Sequence, residues 1–349
     1  MTMSGLCRPA REACRDVCRR CLELFPCLAD PGKRASLGLK VALVLLHMVF
    51  LAAFFLFDRV LIEKTRKEPW YTATYLVLFA ATLIQYFVTS FSSPGYVIDA
   101  MRAWNESNAA AWETSRTSKQ SASSKSQSLC PSMNSNLIGR NARGINSNAW
   151  VKFVMDACPP GSSSRIWTCT YCNIVQPPRS KHCHDCDKCV LQFDHHCVWL
   201  GTCIGQKNHC RFWWYILEET TLCMWTLILY ITLLKLTPSK PWWKETIVIL
   251  LLFVLSIAFI FLILLFIFHS YLALTNQTTY ELVRRRRIQY LRGIPERVYP
   301  FSKGICTNIY NLCCARSNIY DIESFPSAEE LEAKAKPYTC MDMISCRCC

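Results

Sequence analysis

The chain has 349 residues, 52% of them hydrophobic, too apolar for a soluble domain of ordinary make-up. Its net charge of +14 comes from 39 basic against 25 acidic residues. The basic residues sit beside apolar segments rather than forming one face, which suits anionic lipid head groups and argues against a nucleic-acid partner.

Taken in chain order, the first 36 residues hold seven Lys/Arg and no long apolar core, so no cleavable signal peptide is expected. Cys7, Cys14, Cys18 and Cys21 recur at helical spacing among five arginines. They suggest a basic amphipathic helix anchored by acyl chains, with unmodified thiols as the alternative. The same choice applies to Cys313-Cys314 and to the ending Ser345-Cys346-Arg347-Cys348-Cys349. Four segments reach the ~20 apolar residues that cross a bilayer: 41–57 (to 62 if Asp58 and Arg59 reach the interface), 70–91, 212–234 and 247–268. The third carries Glu218 and Glu219 in its second turn. Acids cost roughly 2.5–3.5 kcal/mol each at mid-depth, so they sit in the head-group layer or face a polar cavity.

The predicted fold class is an α-helical multi-pass membrane protein with a cytosolic zinc-stapled domain between spans two and three. Arg284-Arg285-Arg286-Arg287 after span four sets both tails and the 92–211 loop on the cytosolic side. The predicted division is a tail at 1–37, spans one and two at 38–91, a flexible cytosolic linker at 92–164, a cysteine-rich domain at 165–211, spans three and four at 212–274, and a cytosolic tail at 275–349. Residues 115–135 contain nine serines in 21 positions and little that packs.

Of 23 cysteines, seven fall between Cys169 and Cys203 together with four histidines. Their spacing is that of metal ligands, which need reduced thiolates and hence a cytosolic face. The ligands run Cys169-x2-Cys172, His182-Cys183-x2-Cys186-x2-Cys189, His195-His196-Cys197 and Cys203. Neighbours such as His182 and Cys183 point in different directions, so two interleaved tetrahedral zinc sites are natural. A module this small lacks a sufficient core and needs such staples. Two sites use eight ligands and the window offers eleven, with His209 and Cys210 just beyond. Spacing alone leaves open which are spare. A RING-type ubiquitin ligase would end in a second Cys-x2-Cys pair, which this window lacks. A nucleic-acid finger would place a helix where Pro177-Pro178 stand.

The full pattern, Cys-x2-Cys-x9-His-Cys-x2-Cys-x2-Cys-x4-Asp-His-His-Cys-x5-Cys, resembles the cysteine-rich domain of the DHHC protein S-acyltransferases (palmitoyltransferases). Asn208-x3-Phe212, Ser93-Pro94-Gly95, Thr278-Thr279-Tyr280-Glu281 and the stretch 301–308 ending at Asn308 fit the family's flanking motifs. Asn276-Gln277 leading into the four arginines, together with the cysteine-rich end, narrows the resemblance to a plant member. Two positions depart from the pattern: Val198 stands where proline is usual and Ser93 where aspartate is usual. Neither removes a group the chemistry needs.

The resemblance implies transfer of a fatty acyl group from acyl-CoA, palmitoyl-CoA foremost, to cysteines of membrane-associated proteins through an S-acyl-cysteine intermediate. It implies Cys197 as nucleophile, His195 as base and Asp194 as the orienting carboxylate. One structural zinc is implied on Cys169, Cys172, His182 and Cys189, a second on Cys183, Cys186, His196 and Cys203. His184 is left as a surface histidine. Arg179, Lys181, Lys188, Lys207 and Arg211 are candidate contacts for the acyl-CoA head group, with solvated charge as the alternative. Thr278 and Glu281 have the spacing of a capping box that starts a helix; the resemblance implies that Thr278, Thr279, Glu281 and Asn308 also pack the tail on the catalytic module, with an ordinary turn residue as the alternative for Asn308. The plant resemblance implies an endomembrane, Golgi or vacuolar. The competing reading is a zinc-stapled membrane adaptor, which has no need of a spare thiol beside a spare imidazole.

Overall fold

The computed structural model describes residues 31–57, 63, 65–108, 148–236, 241–314 and 322–336. The 115–135 stretch and the cysteine groups at 7–21 and 345–349 lie outside them. Four helices are long and apolar enough to cross a membrane: α1 (Pro31–Phe57), α2 (Pro69–Phe91), and two later ones. Prolines open α1 and α2, where a missing backbone N–H leaves no bond unmade. Between the helix pairs come α3 (Asn148–Ala157), α4 (Ser164–Trp167) and four three-residue strands. These are β1 (Lys181–Cys183), β2 (Lys188–Val190), β3 (His195–Cys197) and β4 (Thr202–Ile204). Then follow α5 (His209–Leu236) and α6 (Trp242–Thr275). At 34 residues α6 is about 51 Å long, more than the ~30 Å hydrocarbon core. The tail adds α7 (Thr279–Arg284), α8 (Ile305–Cys313) and α9 (Ala328–Ala335). The protein is therefore a multi-pass membrane protein with its Cys/His module between the second and third spans.

The chain forms two compact units. Among the described residues, the first takes those from 31 to 90, the loop Cys197–Gly201, and those within 222–257. Its packing is aromatic. The Tyr230 ring lies 5.9 Å from Phe50 and 6.0 Å from Phe54, and its hydroxyl donates to the Phe50 carbonyl at 2.8 Å. Tyr75 pairs with Thr226 at 2.9 Å and packs edge-on against Trp225. The loop 197–201 is held by α2: Tyr86 donates to the Trp199 carbonyl and Ser90 to that of Leu200, at 2.8 and 2.7 Å. Gly201 sits at φ +64°, and a Cβ there would come within 1.8 Å of Ser36 Oγ on α1.

The second unit takes the described residues within 91–196, 202–221 and 258–336. Its core joins Val97, Ala100, Trp150, Val154, Ile174, Val175 and Leu191 to the thiols of Cys158, Cys169 and Cys189. Trp150 donates its indole N–H to the Val175 carbonyl at 3.1 Å. Trp104 and Phe153 stack at 3.9 Å. The expectation of a flexible linker over 92–164 is corrected at its two ends, 92–108 and 148–164; the rest of it lies outside the described residues. Residues 97–108 are helical, α3 is packed through Trp150 and Val154, and both ends of the segment belong to the core. The apolar residues at 150, 153 and 154 supply that burial.

Candidate active site and metal centres

The β1–β2 hairpin pairs His182 with Cys189 and Cys183 with Lys188. Side chains alternate across a strand, so His182 and Cys183 leave on opposite faces. His182 meets Cys169, Cys172 and Cys189; Cys183 meets Cys186, His196 and Cys203. Within each group one ligand atom per residue lies within 4.8 Å of the others. In the first, His182 Nδ1 is 3.3 Å from Cys172 Sγ and 3.8 Å from Cys189 Sγ. In the second, His196 Nδ1 is 3.6, 3.4 and 3.6 Å from the sulfurs of Cys183, Cys186 and Cys203. Tetrahedral zinc with Zn–S near 2.3 Å and Zn–N near 2.05 Å has ligand–ligand edges of about 3.6–3.8 Å. Both clusters fit that ion. His184 is exposed and packs its ring against Tyr171. Cys158, outside both groups, has its thiol pushed up to about 12 by burial, which leaves it inert near neutrality.

Asp194 is buried, with every interaction of its carboxylate defined. Its Oδ2 accepts from His195 Nδ1 at 2.6 Å and from the Thr279 hydroxyl at 2.8 Å, and its Oδ1 accepts from the Thr279 backbone N–H at 2.6 Å. Burial alone would push the carboxyl up. The bond to His195 and the charges of the surrounding imidazoles reverse that and hold it well below the usual carboxylate range. His195 is half-buried, its ring edge-on to Phe212 at 5.4 Å. Cys197 is half-buried and ends β3, two residues after His195 in the chain. Val198 beyond it is exposed.

Thr279 is placed by the turn that starts α7. Thr278 caps the helix by accepting from the Glu281 N–H at 3.1 Å, and Glu281 returns the bond to the Thr278 N–H at 3.0 Å, a capping box. Glu281 also takes a two-pronged ion pair from Arg179, both contacts at 2.9 Å. The same guanidinium donates to Glu323, to Asn276 Oδ1 and to the Asn276 carbonyl, and lies 4.5 Å over the Phe301 ring. Asn308 fixes the rest of the tail, donating to the Leu274 carbonyl and accepting from the Lys303 N–H at 2.8 and 2.9 Å.

Arg179 is thus corrected from a head-group contact to a buried bolt between module and tail. It is only 4% exposed and its donors are engaged by Glu281, Glu323 and Asn276. Burial would lower its affinity for a proton, but the two carboxylates raise it further above the ordinary arginine range. Lys188, Lys207 and Arg211 are exposed, whereas Lys181 is half-buried with its ammonium 4.8 Å over the Tyr280 ring. Ser93 keeps the turn that its motif requires, accepting from the Gly95 N–H at 3.3 Å. The carbonyls of Pro94 and Gly95 then receive the N–H groups of Lys207 and Leu191 at 3.1 and 2.9 Å. Asn208 bridges Cys203 and Gly205 at the entry to α5.

The DHHC palmitoyltransferase family pattern matches residues 163–286. Over 345 residues, 99% of this chain and 100% of its relative, the sequence is 57% identical to Protein S-acyltransferase 10 of Arabidopsis thaliana. It is 35% identical over 161 residues to Palmitoyltransferase ERF2 of Eremothecium gossypii, covering 45% of this chain and 43% of that one. It is also 35% identical over 166 residues to Protein S-acyltransferase 8 of Arabidopsis thaliana, covering 43% and 39%. The chain belongs to the DHHC palmitoyltransferase family.

Proposed function

We propose that the protein transfers a long-chain fatty acyl group, palmitoyl foremost, from CoA to cysteines of membrane-associated proteins, and that Cys197 carries the group between them. The observation that carries this reading is the partner set of Asp194. A buried carboxylate, pinned by two bonds from Thr279, holds one nitrogen of His195, and Cys197, two residues further along the chain, is a thiol that neither metal cluster uses. A zinc-stapled adaptor has no use for that arrangement.

With Nδ1 bonded to Asp194, His195 presents its other nitrogen as base. It takes the Cys197 proton; the thiolate attacks the acyl carbonyl, the bond to CoA sulfur breaks, and the departing CoA thiolate takes the proton from His195. The second half repeats the exchange with a substrate thiol as donor of the proton and acceptor of the acyl group. One thioester replaces another, so no ATP is needed. Asp194 remains ionised and stabilises the imidazolium. Base assistance of this kind contributes typically about 10²–10⁴-fold.

Two zinc ions, one on Cys169, Cys172, His182 and Cys189 and one on Cys183, Cys186, His196 and Cys203, would supply folding energy as closed structural sites. Lys181, Lys188, Lys207 and Arg211 are proposed to meet the anionic CoA head group. The tails and the 92–211 loop are proposed to be cytosolic, in a Golgi or vacuolar membrane. Exposed Cys313 and Cys314 are proposed as further acylated positions.

The test is incubation of the purified full chain with labelled palmitoyl-CoA, followed by mass spectrometry of the peptide holding residue 197. A hydroxylamine-sensitive acyl group there is expected. Cys197→Ser should lose it while keeping two zinc ions per chain. Robust turnover to a substrate thiol by Cys197→Ser would sink the nucleophile assignment.

A further inference from the structure

A third cluster of ligating side chains lies outside the two cysteine-rich groups. Asp194, His209 and His269 each offer one ligand atom, and the three atoms lie within 4.8 Å of one another. The histidines come from the first turn of α5 and the last third of α6. His209 Nε2 and His269 Nδ1 are buried and have no hydrogen-bond partner, and His269 is only 2% exposed. Their rings meet edge to face at 6.3 Å and 85°, while Phe212 covers the His269 ring at 5.0 Å.

Asp194 completes the arithmetic. An ionised carboxylate has about four acceptor positions. Three are taken, by His195 Nδ1 and by the N–H and hydroxyl of Thr279. One remains, in a cluster whose two imidazoles each carry an unpartnered buried nitrogen. His209 also lines a cavity of about 580 Å³ whose walls include Gln206, Asn276, Gln277 and Lys303.

We propose that Asp194, His209 and His269 form a third metal site, for a divalent first-row transition ion such as zinc or cobalt. Two imidazoles and a carboxylate, with no thiolate, form a donor set for those ions rather than for soft copper(I). Ligand atoms on a four-coordinate ion of this kind sit about 3.3 Å apart. The side chains therefore close by at most ~1.5 Å from their present spread. Three protein ligands leave the fourth position open, so this site exchanges its ion far more readily than the two closed ones.

The consequence for catalysis rests on the proposed acyl-transfer function. An ion on Asp194 draws off the negative charge that stabilises the His195 imidazolium. Occupancy should then inhibit acyl-enzyme formation, about tenfold or more given what base assistance contributes, and a mild chelator should reverse it.

The experiment uses the full chain in lipid nanodiscs with both closed sites loaded with zinc. Cobalt chloride is added by equilibrium dialysis, and metal content and visible absorption are read together. One cobalt per chain is expected beyond two retained zincs, with d–d bands and no sulfur-to-cobalt charge transfer. His209→Gln and His269→Gln should each lose that third equivalent while keeping both zincs, and Cys197→Ser should retain it. Absence of a third equivalent in the unaltered chain overturns the site without recourse to any variant. So does a sulfur charge-transfer band, which would place cobalt on cysteine, or retention of the ion in both histidine variants. The binding readout needs no enzyme activity. A third equivalent in a chain that never forms an acyl-enzyme would uphold the site and count against the acyl-transfer reading instead.

Discussion

Two stretches that adjoin in the chain are held by opposite means. Asp194 and His195 belong to the unit fixed by charge and ligation: Thr279 binds the carboxylate, Glu281 positions Thr279, and Arg179 binds Glu281. Cys197–Gly201 belongs to the unit of apolar helices and is held by shape. Two hydroxyls of α2 bind its carbonyls, and a glycine lies where Ser36 leaves no room for a side chain. The difference teaches where each half is vulnerable. Loss of one partner strands a buried charge in the first, whereas in the second an added atom does the damage.

The largest effect should come from the metal staples. Cys183→Ala removes one ligand from the second cluster, and metal binding accounts for about 10–16 kcal/mol in small structural zinc modules. Zinc content should fall from two towards one per chain, protease sensitivity should appear within 165–211, and acylation should cease. A variant that stayed folded with two zincs would show that Cys183 is no ligand.

Next is Arg179→Met, which preserves bulk and deletes the charge. Breaking a buried pair from one side typically costs about 3–5 kcal/mol, because the remaining charge is left uncompensated. Here both Glu281 and Glu323 lose their partner. The expected outcome is release of the tail, read as faster hydrogen exchange in α7 and α9, with zinc content unchanged. A change only in KM for acyl-CoA, with the tail still protected, would return Arg179 to the head-group role its sequence suggested.

That residue also marks how far the sequence could be read. The spans follow from apolar runs, and the expectation of two interleaved metal sites from the adjacency of His182 and Cys183, both local signals, whereas the assignment of ligands to each site comes from the family resemblance. Arg179 stands among other basic residues, and nothing near it announces burial. Its carboxylates arrive 102 and 144 residues later. Glu323 carries no motif at all. His269 is hidden for a different reason: inside so apolar a helix, one imidazole does not disturb the pattern of a span. The helix α3 spans only ten residues beside a serine-rich stretch, too short for its periodicity to outweigh the composition.

The shape-held half is tested by Gly201→Ala. The left-handed backbone costs about 1–2 kcal/mol for a residue with a Cβ, and the new atom meets Ser36 Oγ. Zinc content should be unchanged, because no ligand moves, while acyl-enzyme formation should fall several-fold as the loop carrying Cys197 is displaced. Adding Ser36→Gly removes the obstructing side chain and should recover part of the loss but not the backbone term. Equal loss with and without Ser36 would mean that backbone strain alone accounts for the effect.

The smallest effect is a pH dependence confined to the charged half. Burial would raise the pKa of Glu323, but the Arg179 charge and the hydrogen bonds from Arg179, Asn276 and Gln192 outweigh it and hold the group below the ordinary glutamate value. A group depressed on folding contributes stability that is fully present above its unfolded pKa, about 4.3, and is lost as pH falls through the lower folded value. Docking of the 322–336 segment should therefore be insensitive to pH near neutrality and weaken below about pH 4. Zinc ligands also take up protons in acid, so the quantity to measure is the difference between the natural chain and Glu323→Gln. Hydrogen exchange of α9 in the Gln variant should be faster at neutrality and change less on acidification. If the two chains lose protection in parallel down to pH 3, the acid response belongs to the metal clusters, and the Arg179–Glu323 contact contributes nothing measurable to holding the tail.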